Sequence, residues 1–237
     1  GSGKLAFTLV LPFAQIKDFT LGGDLQLANA DVTSKPWNLA LKGVTGPLHF
    51  DRKGFRADAL KAAWHGTPAT LAIAAAGDVA DPAHQLEASL AAPFTAQALL
   101  ADYPDLAPLA KIANGTANFR IGLDVAAGGS ADAAAKTLSV RSDLHGIALD
   151  LPAPLDKPAA TTLPLQLQIG MPFPGNTLDL ALGDLLRVHG RLPDAAARKP
   201  AALAIAFGTS PPASIPAGGM VVSGHSPTLD LGGWAHL

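Results

Sequence analysis

Residues 163–171 read Leu163-Pro164-Leu165-Gln166-Leu167-Gln168-Ile169-Gly170-Met171. Every odd position is large and apolar, and every even one is Pro, Gln or Gly. Side chains along a strand point to opposite faces in turn, so this period of two predicts a strand with one face that avoids water. At about 3.3 Å per residue it spans about 30 Å.

The same pattern recurs outward in both directions. Downstream, Leu178, Leu180 and Leu182 repeat it. Leu185–Leu192 follows the turn Gly183-Asp184, and Leu203, Ile205 and Phe207 form a further strand. Ser210–Pro216 predicts a rigid loop, and Met220–Ser223 and Leu229–Leu231 predict closing strands. Upstream, Ala117, Phe119, Ile121, Leu123 and Val125 alternate with Asn118, Arg120, Gly122 and Asp124. Leu86, Ala88 and Leu90 alternate with polar neighbours, and Leu71 and Ile73 share a face. Val44–Phe50 and Phe55–His65 flank Asp51-Arg52-Lys53-Gly54, which reads as a hairpin loop. Leu5–Val10 and the run from Leu25 and Leu27, after Gly22-Gly23, complete the series.

One region breaks the period. Ala96, Leu99, Leu100 and Tyr103 fall at helical spacing behind Thr95 as N-cap, Pro104 stops them, and Asp105–Ile112 can add another turn. The expected fold is therefore all-β with a minor helical insert near 95–112. It is a meandering antiparallel sheet rather than a set of βαβ units. So many one-faced strands with so little helix leave two options: a sheet folded on itself as a sandwich, or a long, curved sheet forming an open apolar trough.

Composition narrows the function classes. Hydrophobic residues make up 49% of the 237 and charged residues only 15%, against about 25% charged in ordinary soluble domains. A net charge of −2 with no basic run argues against nucleic acid as a partner. There are no cysteines, which excludes disulfides and thiolate metal sites. No stretch reads as a signal peptide or a spanning helix. Gly1-Ser2-Gly3 resembles an expression scar, and residues 4–237 read as a segment cut from a longer protein.

Candidate chemistry is sparse. Ser142, Asp143 and His145 are the residue types of a hydrolase triad, but they lie in one extended run with no nucleophile elbow. The histidines, at 49, 65, 84, 145, 189, 225 and 236, show no metal-ligand spacing. Asp124, Asp150, Asp179 and Asp184 suit strand faces or turns as well as an acid pair. Trp37, Trp64 and Trp234 read as core or rim anchors. The reading is of no enzyme, no metal and no cofactor. The outward strand faces carry Ala, Thr, Gln, Ser and Gly rather than Lys and Glu. Either they pack internally in an Ala-rich sandwich, or an apolar surface is left open for a ligand with long apolar chains.

Leu138–Ala159 adds a resemblance. Ser142-Asp143-Leu144-His145-Gly146, followed by Leu149-Asp150-Leu151-Pro152-Ala153-Pro154-Leu155-Asp156-Lys157-Pro158, resembles the signature of YhdP-type proteins, members of the AsmA-like group of bacterial envelope proteins. Val44–Phe50, Gly54-Phe55, Gly66-Thr67-Pro68-Ala69, Gly115–Phe119, Val222–Gly224 and Leu229–Trp234 resemble further parts of that pattern, in order. The resemblance implies a periplasmic protein anchored in the inner membrane of a Gram-negative bacterium. Its hydrophobic β-sheet groove would conduct phospholipid between inner and outer membranes, through parts of the parent beyond this segment. The partners would be phospholipid acyl chains and the two membranes. Candidates for the groove lining, taken from alternation, are Phe119, Ile121, Leu123, Leu163, Leu165, Leu167, Ile169, Leu178, Leu180 and Leu182. The rival readings are a structural or assembly module of the envelope and a hydrolase acting on an envelope polymer.

Overall fold

The computed structural model describes residues 2–10, 20–34, 39–101, 107–128, 135–228 and 230–235. Trp37, Tyr103, Pro104, Leu229, His236 and residues 129–134 lie outside them. The chain is mostly β: a long, mixed, open sheet with three short helices. The strands are β1 (Ser2–Val10), β2 (Thr20–Ser34), β3 (Leu39–Asp51), β4 (Gly54–Trp64), β5 (Thr67–Ala76), β6 (His84–Phe94), β7 (Ala113–Gly115), β8 (Ala117–Ala126), β9 (Lys136–Ser142), β10 (Ile147–Leu149), β11 (Leu165–Met171), β12 (Thr177–Leu182), β13 (Leu186–Arg191), β14 (Ala202–Phe207) and β15 (Gly219–Gly224). The helices are α1 (Ala96–Leu100), α2 (Ala107–Ile112) and α3 (Leu231–Ala235). The chain divides into two compact units, 1–92 with 122–135, and 93–121 with 136–237.

In the first unit β1 to β6 pair in sequence order, antiparallel throughout. Register breaks fall in β2–β3, β3–β4 and β4–β5. Side chains near the β2–β3 breaks take up backbone groups. Asp31 Oδ1 accepts from Gly43 N at 3.1 Å, and Thr45 Oγ1 accepts from Asn29 N at 3.1 Å. Such bulges add local twist to long strands. Leu41, Val44, Ala57 and Leu60 are buried here.

In the second unit β9, β11, β12, β13, β14 and β15 are neighbours in that order, and β7 pairs with β10 in a separate two-stranded piece. The helical insert takes the form of α1 and α2, with Thr95 Oγ1 accepting from Ala98 N as the expected N-cap. Three expectations are corrected. The last pair, β14–β15, is parallel rather than antiparallel. A parallel neighbour needs a return crossover, and the Pro-rich connection 208–218, which contains the expected rigid loop Ser210–Pro216, supplies it. Leu231 starts a helix instead of closing a strand: Trp234 N donates to Asp230 O, and Gly233 N to the Asp230 carboxylate. The single extended run expected to hold Ser142, Asp143 and His145 is broken, because Leu144 and Gly146 both take positive φ and turn the chain before the short strand Ile147–Leu149.

Candidate apolar face

The pairing registers place directly opposed residues on one face, so each row across the second unit can be followed strand by strand. One row runs Val140, Leu167, Leu180, Val188, Ile205, Val222. The next runs Leu138, Ile169, Leu178, Gly190, Leu203, Met220. A third runs Ser142, Leu165, Leu182, Leu186, Phe207, Gly224. No charged residue occurs in these three rows. The leucines and isoleucine of β11 and β12 on this face are all half-buried, none of them fully enclosed.

The reverse face is polar over β9, β11 and β12. Its rows carry Ser139, Gln168, Asp179 and His189, then Arg141, Gln166, Ala181 and Arg187. His189 Nδ1 lies 2.5 Å from Asp179 Oδ1 across β12–β13. On β14 the reverse face becomes Ala202, Ala204 and Ala206, each with no exposed surface. Arg191, opposite Ala202, donates from Nη2 to Ala217 O of the crossover connection. The crossover therefore runs over the reverse face, where methyl-sized side chains leave it room.

The first unit carries the same division. Phe50, Phe55, Ala75 and Leu86 form one row, and Ala57, Ile73 and Ala88 another. The opposite face holds the row Asp24, His49, Arg56, Ala74, Glu87, in which His49 Nδ1 and Asp24 Oδ1 are 3.1 Å apart. His84 Nδ1 lies 2.9 Å from Glu87 Oε1. That hydrogen bond raises the imidazole pKa, with smaller help from Asp124 and Asp81, and lowers the Glu87 carboxyl.

Of the ten residues singled out from alternation, six (Leu165, Leu167, Ile169, Leu178, Leu180 and Leu182) are joined by β11–β12 pairing on the apolar face. Ile121 and Leu123 on β8 are half-buried. Phe119 and Leu163 are enclosed, at 5% and 8% exposed. That list left out Leu138, Val140, Leu186, Val188, Leu203, Ile205, Phe207, Met220 and Val222. On β13 the signal was present, since Leu186 and Val188 alternate with Arg187 and His189. On β14 Leu203, Ile205 and Phe207 were read as a strand, but the alanines between them, like Met-Val-Val on β15, are apolar too, so polarity did not single out one face.

The side chains of Ser142 and Asp143 serve the backbone rather than a triad with His145. Ser142 Oγ donates to Asn118 O at 2.7 Å and accepts from Leu144 N at 3.0 Å, and Asp143 Oδ1 accepts from His145 N at 3.0 Å. Among the described residues no three His, Asp or Glu side chains gather as a metal site, and no helix is long and apolar enough to cross a membrane.

A family model described as YhdP protein matches residues 1–237. The chain belongs to the YhdP family. No curated protein and no solved structure matches it. Membership supports a cell-envelope context. Two of the motifs that resemble YhdP proteins in sequence, Gly115–Phe119 and the run from Ser142 to Pro158, are neighbours in space. Gly115 pairs with Ile147, and Thr116 N donates to Gly146 O. A Cβ on Gly115 would stand 2.0 Å from Gly146 O, and one on Gly146 would stand 2.2 Å from Thr116 O. Only glycine fits at both positions, and both also have positive φ.

Lys157 fastens this YhdP segment together. It is 5% exposed, and its ammonium donates to Leu144 O at 2.8 Å, Ile147 O at 2.6 Å and Pro158 O at 3.0 Å. Burial pushes its pKa down, and the charge of Asp143 opposes that. Three donors meet three carbonyls, so the buried cation is fully satisfied. The C-terminal residues close over the same segment: Trp234 Nε1 and Asp230 N both donate to Ala153 O.

Proposed function

We propose that this chain is a segment of a lipid-conducting envelope protein of the AsmA-like group. In this reading phospholipid acyl chains lie on the apolar face formed by β9 and β11 to β15. The observation that carries it is the three uncharged rows, whose members on β11 and β12 stay half-exposed. Exposing an acyl chain to water costs about 0.8 kcal/mol per CH₂, hence on the order of 12 kcal/mol for a long chain. A continuous apolar wall removes most of that cost, and the head group stays in water. Aliphatic side chains form no directional bonds, so a chain can slide along them without a deep trap.

Leu165, Leu167, Ile169, Leu178, Leu180 and Leu182 are the core of the proposed wall, and Ile121 and Leu123 are further candidates. The enclosed Phe119 and Leu163 act in packing. No catalytic residue, metal or cofactor takes part. The location is the periplasm, with anchorage in the inner membrane and passage between the two membranes supplied by other parts of a longer parent. Family membership and the open sheet support this reading.

The test is native mass spectrometry of the purified protein for bound phospholipid, paired with Leu167→Glu. At a half-exposed site water can reach the carboxylate, so the variant should melt near the parent temperature and lose its lipid. A folded variant that keeps all its lipid removes β11 from the wall. A collapsed melting curve points to a closed core and favours the structural module instead.

A further inference from the structure

Among the described residues, the sheet of the second unit ends on a strand that no other element covers. β15, Gly-Met-Val-Val-Ser-Gly, is the last strand in the order, and all six of its residues are exposed. Met220, Val221 and Val222 are exposed at 62%, 42% and 54%. Edge strands ordinarily discourage pairing with a lysine, a proline, a bulge or a covering element. β15 has no charged residue and no proline, and its register against β14 is unbroken.

The free edge has a definite hydrogen-bonding pattern. Gly219 N donates to Ala201 O and His225 N to Phe207 O, so odd-numbered residues face β14. In a parallel ladder the residues between them turn outward, which leaves Met220 and Val222 with unpaired N–H and C=O groups on the open side.

We infer that β15 pairs antiparallel with β15 of a second copy of this chain, across a two-fold axis at Val221. This register makes Met220 and Val222 of opposite copies hydrogen-bonded partners, matching the groups that point outward. It sets Val221 against Val221 on the reverse face and Met220 against Val222 on the apolar face. All three exposed apolar side chains of each copy then meet apolar partners. A register centred one residue later would spend Met220 on Gly224 and Val221 on Ser223. The strand is uncharged, so self-pairing brings no like charges together. The row from Leu138 to Met220 continues into the second copy, and a two-fold pair closes on itself rather than growing into a filament. β1, in contrast, carries the exposed Lys4.

The test is sedimentation equilibrium of the full chain over a concentration series. The parent should show a monomer–dimer equilibrium. Val221→Lys puts two ammonium groups face to face at the axis and should abolish the dimer, and Val221→Glu should do the same. Val221 is solvent-exposed, so the melting temperature of the monomer should hold for either substitution. An equimolar mixture of the two variants should restore the dimer. A parent that stays monomeric to its solubility limit overturns the inference. So does a dimer that survives Val221→Lys, which would place the interface elsewhere, or a mixture that stays monomeric. None of these outcomes depends on bound lipid, so the proposed function stands or falls separately.

Discussion

At Lys157 a charged side chain is spent on holding turns together. The Leu144 and Ile147 carbonyls belong to a segment with two successive departures from extended backbone, and no sheet partner reaches them. Lys157→Met keeps the length of the side chain and removes its donors. Leu144 O would keep its bond from Ile147 N and Pro158 O its bonds from Thr161, so the buried Ile147 O is the carbonyl left without a partner, at roughly 1 to 3 kcal/mol. The expected loss is about 1 to 3 kcal/mol in urea denaturation, read as a lower midpoint at unchanged slope. Sequence showed Asp156-Lys157-Pro158 as part of a motif but gave no hint of this role. A lysine between aspartate and proline normally reads as a solvated loop residue, and its acceptors lie up to 13 residues away.

His84 and Glu87 give a residue-scale pH dependence. The Glu87 hydrogen bond raises the His84 pKa above its ordinary value, near 6.5. Stability from this group is therefore complete below the unfolded-state pKa and is lost as pH rises through the folded one. Glu87 is shifted down, so its contribution is present above the ordinary carboxyl range and fades as pH falls through its lowered value. The window in which both act lies between the two ordinary values, around pH 5 to 6. The melting-temperature gap between the parent and His84→Gln should be widest there and narrow on the alkaline side. A gap that is flat from pH 5 to 9 would mean that the imidazolium does not contribute.

Among the elements, β11 and β14 show what a period of two can and cannot reveal. Over Leu165–Ile169 β11 alternates aliphatic residues with Gln, and there its exposure follows the sequence residue by residue. β14 alternates Ala with Leu, Ile and Phe, so hydrophobicity alone does not separate its faces. Size does: the alanines lie on the side crossed by the connection 208–218, and the large residues lie on the apolar face. Proline content made that connection look like a rigid loop, while its crossover role depended on a pairing direction that sequence did not encode locally. Ala204→Leu adds three carbon atoms at a site with no exposed surface. Overpacking of this kind costs about 1 to 3 kcal/mol, and thermal unfolding should report it. The same change at Ala201, which is exposed, should leave the melting temperature nearly unchanged.

At the scale of the molecule, the proposed wall requires that two faces of one sheet behave differently toward lipid. A closed sandwich would not show this, nor would a sheet whose two faces are both wet. The sequence contains no cysteine, so a single introduced one is a unique attachment point. A polarity-sensitive fluorophore placed in turn at Leu165, Gln166, Leu167, Gln168 and Ile169 samples the two faces alternately along β11. Added phospholipid should shift the emission to the blue at 165, 167 and 169 and leave 166 and 168 unchanged. The registers extend the expectation sideways: Leu180 and Val188 should respond with Leu167, whereas Asp179 and His189 should stay silent with Gln168. An acyl chain lying over several strands would produce that pattern, because directly opposed residues share a face at every step across the ladder. Equal responses at odd and even positions would mean lipid adsorbs without regard to face, and the wall would have to be abandoned. Silence at every position, with the labelled proteins still folded, would have the same force.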